Sequence, residues 1–212
     1  TELGITFDLA TELDAIRSHL NTKPERDYMA SRGEYLNGKM LANYLDIPFI
    51  DAAEIIRFDA NGTLLMDETI ALMRKRLAGV ERAVIPGFYG ADADGNVITF
   101  SRGGSDITGS LVARATDSEI YENWTDVSGV LVADPRIIEN AAPINTITYE
   151  ELRELSYMGA TVLHEESIFP VHKAGIPTNI RNTNDPEDPG TMIMQKVPSR
   201  MDMPVVTGIA GH

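Results

Sequence analysis

Residues 99–113 read TFSRGGSDITGSLVA, so a single chain reversal between a strand-like run and a helix-like run carries an arginine, two glycines, a serine and an aspartate. Arg102 offers a planar fork of donors that matches a carboxylate or phosphate at two points, and it stays charged at any relevant pH. Gly103 and Gly104 remove side chains where a ligand could approach main-chain amides, and Ser105 or Asp106 stands where a helix N-terminus should begin. Such a terminus exposes unpaired N–H groups and partial positive charge, and so favours an anion. The same residues also fit a plain strand-to-helix turn with a serine cap and a surface arginine. The segment alone does not separate the two readings.

A second loop, WTDVSGVLVADPR (124–136), leaves the end of a strand, where open α/β sheets bind ligands. Thr125 and Asp126 could hold the polar edges of a nucleotide and Arg136 could neutralise a phosphate, although Asp-Pro is equally an ordinary turn former. In SRGE, Ser31 and Glu34 have capping-box spacing, which favours a helix start over a ligand role for Glu34. Thr148 and Glu151 repeat that pattern in TYEE.

Composition limits the ligands. The 212 residues carry a formal net charge of −14, which argues against non-specific affinity for nucleic acid or an anionic membrane, so any anionic ligand must be met by local positive groups. No stretch approaches the roughly 20 apolar residues of a membrane span, and the opening residues lack signal-peptide order; a soluble intracellular protein is expected. With no cysteine there is no disulfide, thiolate metal site or thiol nucleophile, and His19, His164, His172 and His212 fall at no metal-ligand spacing. NGKM around Gly38 lacks the leading glycine and the hydroxyl of a P-loop, and DADGN at Asp92 has its glycine too early for an EF-hand. Met158, Met192 and Met194 fit packing roles, and His164 a partly buried helix position.

The elements that must position these residues alternate between helix and strand, which implies a layered α/β domain. Apolar spacing predicts a helix over 31–46, a strand running into a turn at IPFIDAAEII, and a helix at MDETIALMRKRLAGV. RAVIPGFYG and NVITFS read as strands joined at ADADGN, whose Asp-Gly suits a hairpin. A helix from Asp106, a strand at SEIYENWTD, a helix over 149–168 with a break at Gly159 and a strand at IPTNIRNT follow. NTNDPEDPGT reads as a loop, and KVPSRMDMP as an exit linker.

Taken together, SRGE, VIPGFYGADADGNVITFSRGGSDIT, WTDVSGVLVADPR, ELSYMGATVLH and PTNIRNTNDPEDPGT resemble the aspartate kinases of the amino acid kinase fold, in that family's order and approximate spacing. The resemblance implies an α/β/α sandwich of the carbamate kinase-like type, incomplete at its N-terminus. It implies phosphoryl transfer from Mg-ATP to the side-chain carboxylate of L-aspartate, giving 4-phospho-L-aspartate at the head of lysine, threonine and methionine synthesis. Arg102 and Glu34 would then hold the carboxylate and amino group of aspartate, with Gly103, Gly104, Ser105 and Asp106 lining the pocket and Arg102 and Asp106 as its catalytic pair. Thr125, Asp126 and Arg136 would contact ATP. Leu131 and Thr161 would fall at the nucleotide as well, where some relatives carry an aromatic residue and many a lysine.

Nothing matches the family's opening K-F-G-G-[ST] loop. The resemblance thus makes residues 1–197 part of a catalytic domain and 198–212 a linker and the start of a missing regulatory ACT domain. It also implies a cytoplasmic homo-oligomer for the full-length protein, and a chain inactive by itself. A non-catalytic module that binds a nucleotide or amino acid, and another amino acid kinase such as a glutamate kinase, are the alternative readings.

Overall fold

The computed structural model describes residues 4, 6–134, 137–157, 165–197 and 207–209. Met158, Gly159, His164 and most of the expected exit linker lie outside them. The chain divides into two compact units, Thr1–Thr108 and Gly109–His212. No helix among the described residues is long and apolar enough to cross a membrane.

The first unit opens with α1 (Leu9–Thr22), capped by Asp8, whose carboxylate accepts the Thr11 N–H at 3.2 Å. Helix α2 (Arg26–Leu45) follows and ends at Asp46, which takes the left-handed conformation (φ 54°) and returns its N–H to the Ala42 carbonyl. The expected start at Ser31 is therefore corrected. Ser31 lies inside α2, fully buried, and its hydroxyl bonds back to the Tyr28 carbonyl at 2.8 Å, so Ser31 and Glu34 do not form a capping box.

IPFIDAAEII departs from its expected strand. Phe49 makes only an isolated parallel bridge to Val84, and Asp51 then accepts the Ala53 N–H and turns the chain into the short helix α3 (Ala52–Ile55). Helix α4 (Met66–Leu77) fits its pattern: it buries Thr69, Ile70 and Met73, with acidic residues in its first turn and basic ones in its last, as the helix dipole favours. Strands β1 (Tyr89–Ala91) and β2 (Val97–Thr99) pair antiparallel as the expected hairpin. Asp92 organises its turn by accepting the N–H groups of Asp94 and Asn96. Ile50, Ile55, Ile56, Phe58, Met73 and Tyr89 are buried in this unit.

Helix α5 (Gly104–Ala115) begins in the first unit and ends in the second. Beyond it come β3 (Tyr121–Thr125), β4 (Val130–Leu131), β5 (Pro143–Ile144), β6 (Thr146–Thr148), α6 (Tyr149–Tyr157), α7 (Glu165–Ala174), β7 (Thr178–Asn182) and β8 (Thr191–Met194). The main sheet has the order β3-β7-β8-β6: β3 and β7 run parallel, β7 and β8 antiparallel, and β6 and β8 parallel. Leu152 and Leu155 of α6, Ile168 and Val171 of α7, Ile147, Ile180 and Ile193 of the strands and Ala113 of α5 share one core. Each buried isoleucine or leucine there contributes roughly 1.5–3 kcal/mol.

The capping box expected at Thr148 is present. The Thr148 hydroxyl accepts the Glu151 N–H at 3.1 Å, and the Glu151 carboxylate accepts the Thr148 N–H at 2.9 Å. Residues 207–209 are tied to the same unit, Ile209 N–H donating to the Val132 carbonyl and the Thr207 hydroxyl to Glu151.

Candidate active site

The R-G-G-S-D segment sits at the mouth of α5. Strand β2 ends at Thr99, whose N–H donates to the Asp27 carboxylate at the start of α2 (2.9 Å), and the Phe100 N–H then bonds to the Phe88 carbonyl. Arg102 is exposed, with no hydrogen bond or ion pair to any described residue. Gly103 carries the chain through φ 55° into the helix. Helix α5 starts at Gly104, ahead of the expected Asp106, so Ser105 and Asp106 form its first turn. Ser105 is exposed and Asp106 half-buried.

Gly104 is required by packing. A Cβ there would lie 2.6 Å from the Phe88 Cβ and 2.8 Å from the Phe100 Cβ. Gly87, likewise, presses on Ser105, whose Cα is 2.9 Å from where its Cβ would stand. Between them Phe88 takes a left-handed conformation (φ 60°), uncommon for a side-chain-bearing residue. Two bonds hold it there: its N–H donates to the Thr108 hydroxyl (3.2 Å), which donates onward to the Gly104 carbonyl (2.8 Å). Thr108, Gly87 and Phe88 thus shape the helix mouth.

Glu34 is half-buried on α2, which packs along β2. No hydrogen bond or ion pair joins it to Arg102 among the described residues. The helix stretch that carries it is fixed by Arg32. That guanidinium is buried between the rings of Tyr28 and Tyr35 (4.3 and 4.4 Å) and donates to the Ser31 hydroxyl and the Tyr28 carbonyl. Tyr89 lies on a third side and donates to Asp51 at 2.7 Å; burial, reinforced by the charge of Asp51, pushes its phenol far above the ordinary range.

In the second unit, Thr125 ends β3 and Asp126 follows, exposed, accepting the Thr125 hydroxyl at 3.3 Å. The loop beyond is tied down residue by residue. Thr183 donates its N–H and hydroxyl to the Thr125 carbonyl (2.8 and 2.9 Å), and the Asn182 amide donates to the Ser128 hydroxyl (2.9 Å). Gly129, at φ 78°, has no room for a Cβ against Thr191. The Thr191 hydroxyl accepts the Val130 N–H and donates to the Ile144 carbonyl, joining three strands through one oxygen. Leu131 is half-buried opposite Pro143 in the β4–β5 pair. Arg136 and Thr161 lie outside the described residues.

The amino acid kinase family model matches residues 4–182. The chain belongs to the amino acid kinase family. Aspartokinase 3 of Bacillus subtilis is 39% identical over 204 residues, which are 91% of this chain and 44% of that protein. The crystal structure of Clostridium acetobutylicum aspartate kinase superposes with a TM-score of 0.92 at 53% identity, covering 99% of this chain and 48% of that one. E. coli aspartokinase III in complex with aspartate and ADP matches with a TM-score of 0.78 at 25% identity over 92% of this chain and 49% of its own. The chain therefore spans about half the length of these relatives. The α/β architecture expected from alternating helices and strands is that of this family.

Proposed function

We propose that the protein carrying this chain is an aspartate kinase, transferring the γ-phosphoryl group of Mg-ATP to the side-chain carboxylate of L-aspartate. The observation that carries the reading is Arg102: an exposed guanidinium without a partner among the described residues, at a helix mouth whose shape is set by Phe88 and Gly104. A permanent cation beside helix N–H groups suits the α-carboxylate of an amino acid. Glu34 supplies the counter-charge for the amino group, with Gly103, Ser105 and Asp106 lining the same pocket. The names of the relatives, and the aspartate and ADP held by the E. coli enzyme, support this assignment.

An ionised carboxylate is already a nucleophile, so no general base is required. Its oxygen bonds to the γ-phosphorus as the bond to the bridging oxygen breaks and ADP leaves. The difficulty is charge. Two unit charges about 4 Å apart repel by roughly 4 kcal/mol at an effective dielectric near 20, and several such pairs contribute. The chain's contribution is therefore positioning and positive charge: Arg102 anchors the far end of aspartate, while Thr125 and Asp126 hold the nucleotide. Magnesium, when bound, neutralises phosphate charge. It needs only one or two protein carboxylates beside phosphate oxygens, and no cluster of three or more metal-ligating side chains occurs among the described residues. By the same reading residues 198–212 lead toward a regulatory domain, and the full-length protein is a homo-oligomer.

Calorimetric titration with aspartate, glutamate and N-acetylglutamate tests the substrate. Aspartate is expected to bind most tightly, and Arg102→Ala to weaken it by about 10-fold or more, the worth of a charge-assisted pair, without lowering the melting midpoint. Preference for either of the other two ligands, or undiminished aspartate affinity in the variant, overturns the assignment.

A further inference from the structure

Arg181 makes an unusual set of contacts for a residue outside the proposed ligand sites. It lies on β7 directly across from Trp124 of β3. Its guanidinium carbon sits 4.7 Å from the centre of the Trp124 ring, which is 43% exposed. Nη1 pairs with Glu122 at 3.4 Å, and the Trp124 indole N–H donates to the other oxygen of that carboxylate at 3.3 Å. Nη2 reaches forward to two main-chain carbonyls of the loop after β7, Pro186 at 2.5 Å and Asp188 at 3.4 Å. One planar cation thus lies against a ring, a carboxylate and two loop carbonyls, an arrangement that a point-like ammonium cannot reproduce.

The consequence lies at the strand ends. β3 and β7 are parallel neighbours, and Thr125 stands opposite Asn182 at their C-terminal edge, where open α/β sheets receive ligands. Thr183, the first residue of the clamped loop, gives both of its donors to the Thr125 carbonyl, and Asn182 holds Ser128. The loop also carries Asp185, Glu187 and Asp188. Where those charges stand decides how an incoming polyanion is received.

We propose that Arg181 is a positioning residue for nucleotide binding: by pinning the 183–190 loop to Glu122 and Trp124, it holds Thr125 and Asp126 in the geometry that receives the nucleotide. This rests on the reading that Thr125 and Asp126 are the nucleotide contacts. Arg181 itself need touch no ligand.

Trp124 is the only tryptophan in the chain, so its emission reports on the clamp directly. Mg-ADP is titrated into the wild-type chain, R181Q and R181K, followed by Trp124 fluorescence and calorimetry, with aspartate titrated in parallel. The nucleotide should perturb wild-type emission. R181Q should bind ADP about tenfold more weakly while its aspartate affinity stays within about twofold of wild type. R181K should restore the emission spectrum, because a cation still faces the ring, but not the ADP affinity. Unchanged ADP affinity in R181Q overturns the proposal, as does an equal loss of both affinities, which would mark a role in stability only. If R181Q does not fold, R181K decides, and wild-type ADP affinity there overturns it. A wild-type chain that binds aspartate but no ADP overturns the nucleotide reading together with this inference, whereas ADP binding insensitive to Arg181 overturns the inference alone.

Discussion

Gly104→Ala separates packing from ligand access as the reason for a glycine at the helix mouth. The new methyl would lie 2.6 Å from the Phe88 Cβ, 2.7 Å from its Cα and 2.8 Å from the Phe100 Cβ. None of these atoms is the end of a flexible side chain, so relief requires movement of backbone. Forcing a methyl into such a contact costs about 1–3 kcal/mol. Against this, alanine at a helical position gains up to about 1 kcal/mol over glycine, and less at a first turn. The clash should win, leaving the variant about 1–2 kcal/mol less stable in urea unfolding followed by circular dichroism. Because the strain falls on the turn that carries Arg102, aspartate affinity should fall as well. Gly33→Ala is the matched control: it lies in the interior of α2, exposed, with nothing within 4 Å of the added carbon, and should stabilise by up to about 1 kcal/mol. A Gly104→Ala midpoint at or above wild type would refute the packing argument.

Two further outcomes test the second unit and the turns. Thr191→Val keeps the shape of a fully buried side chain but removes the hydroxyl that accepts the Val130 N–H and donates to the Ile144 carbonyl, so a loss of about 1 kcal/mol or more is expected in the same unfolding assay, and a loss below about 0.5 would contradict the bridging role. Asp59 is held below the usual carboxylate range chiefly by the Thr63 N–H, and Asp92 chiefly by the Asn96 side-chain amide. A carboxyl depressed in the folded state contributes stability above its unfolded value and loses it as pH falls through its folded value. Both turns should therefore loosen only below about pH 4, seen as shifts of the Thr63 and Asn96 amide resonances; movement at neutral pH, or none down to about pH 2, would count against it.

Local signals made much of this chain legible. Helix α4 carries its apolar residues at one spacing between acidic and basic ends, and the hairpin at Asp92 is announced by Asp-Gly between β-rich runs. The two candidate capping boxes show where such signals stop. Thr148–Glu151 and Ser31–Glu34 have the same form, yet only the first opens a helix, because α2 starts earlier at a residue with no side-chain cap and Ser31 is buried among Tyr28 and Arg32. Nothing within four residues distinguishes them. Helix α1 was there to be found, since Leu9, Leu13, Ile16 and Leu20 keep helical spacing behind a capping Asp8. The short strands β4, β5, β6 and β8 were not, since partners distant in sequence decide them. The same limit hid Arg181, whose partners lie on a neighbouring strand and a loop. In the R-G-G-S-D segment the glycines read as open backbone for a ligand, and the structure adds a packing demand at Gly104 from two phenylalanines that the segment does not announce.

Phe88 bears on how the chain can vary. A residue branched at Cβ is disfavoured in its backbone conformation, so valine or isoleucine at 88 would force the turn open even though both are apolar and of suitable bulk. Asparagine or glycine could adopt the dihedral angles but would lose the ring that meets Tyr89 edge-on at 6.0 Å. The repertoire at this position is therefore narrow for reasons of main-chain geometry, and an invariant aromatic there among close homologues would signify architecture before it signified ligand contact.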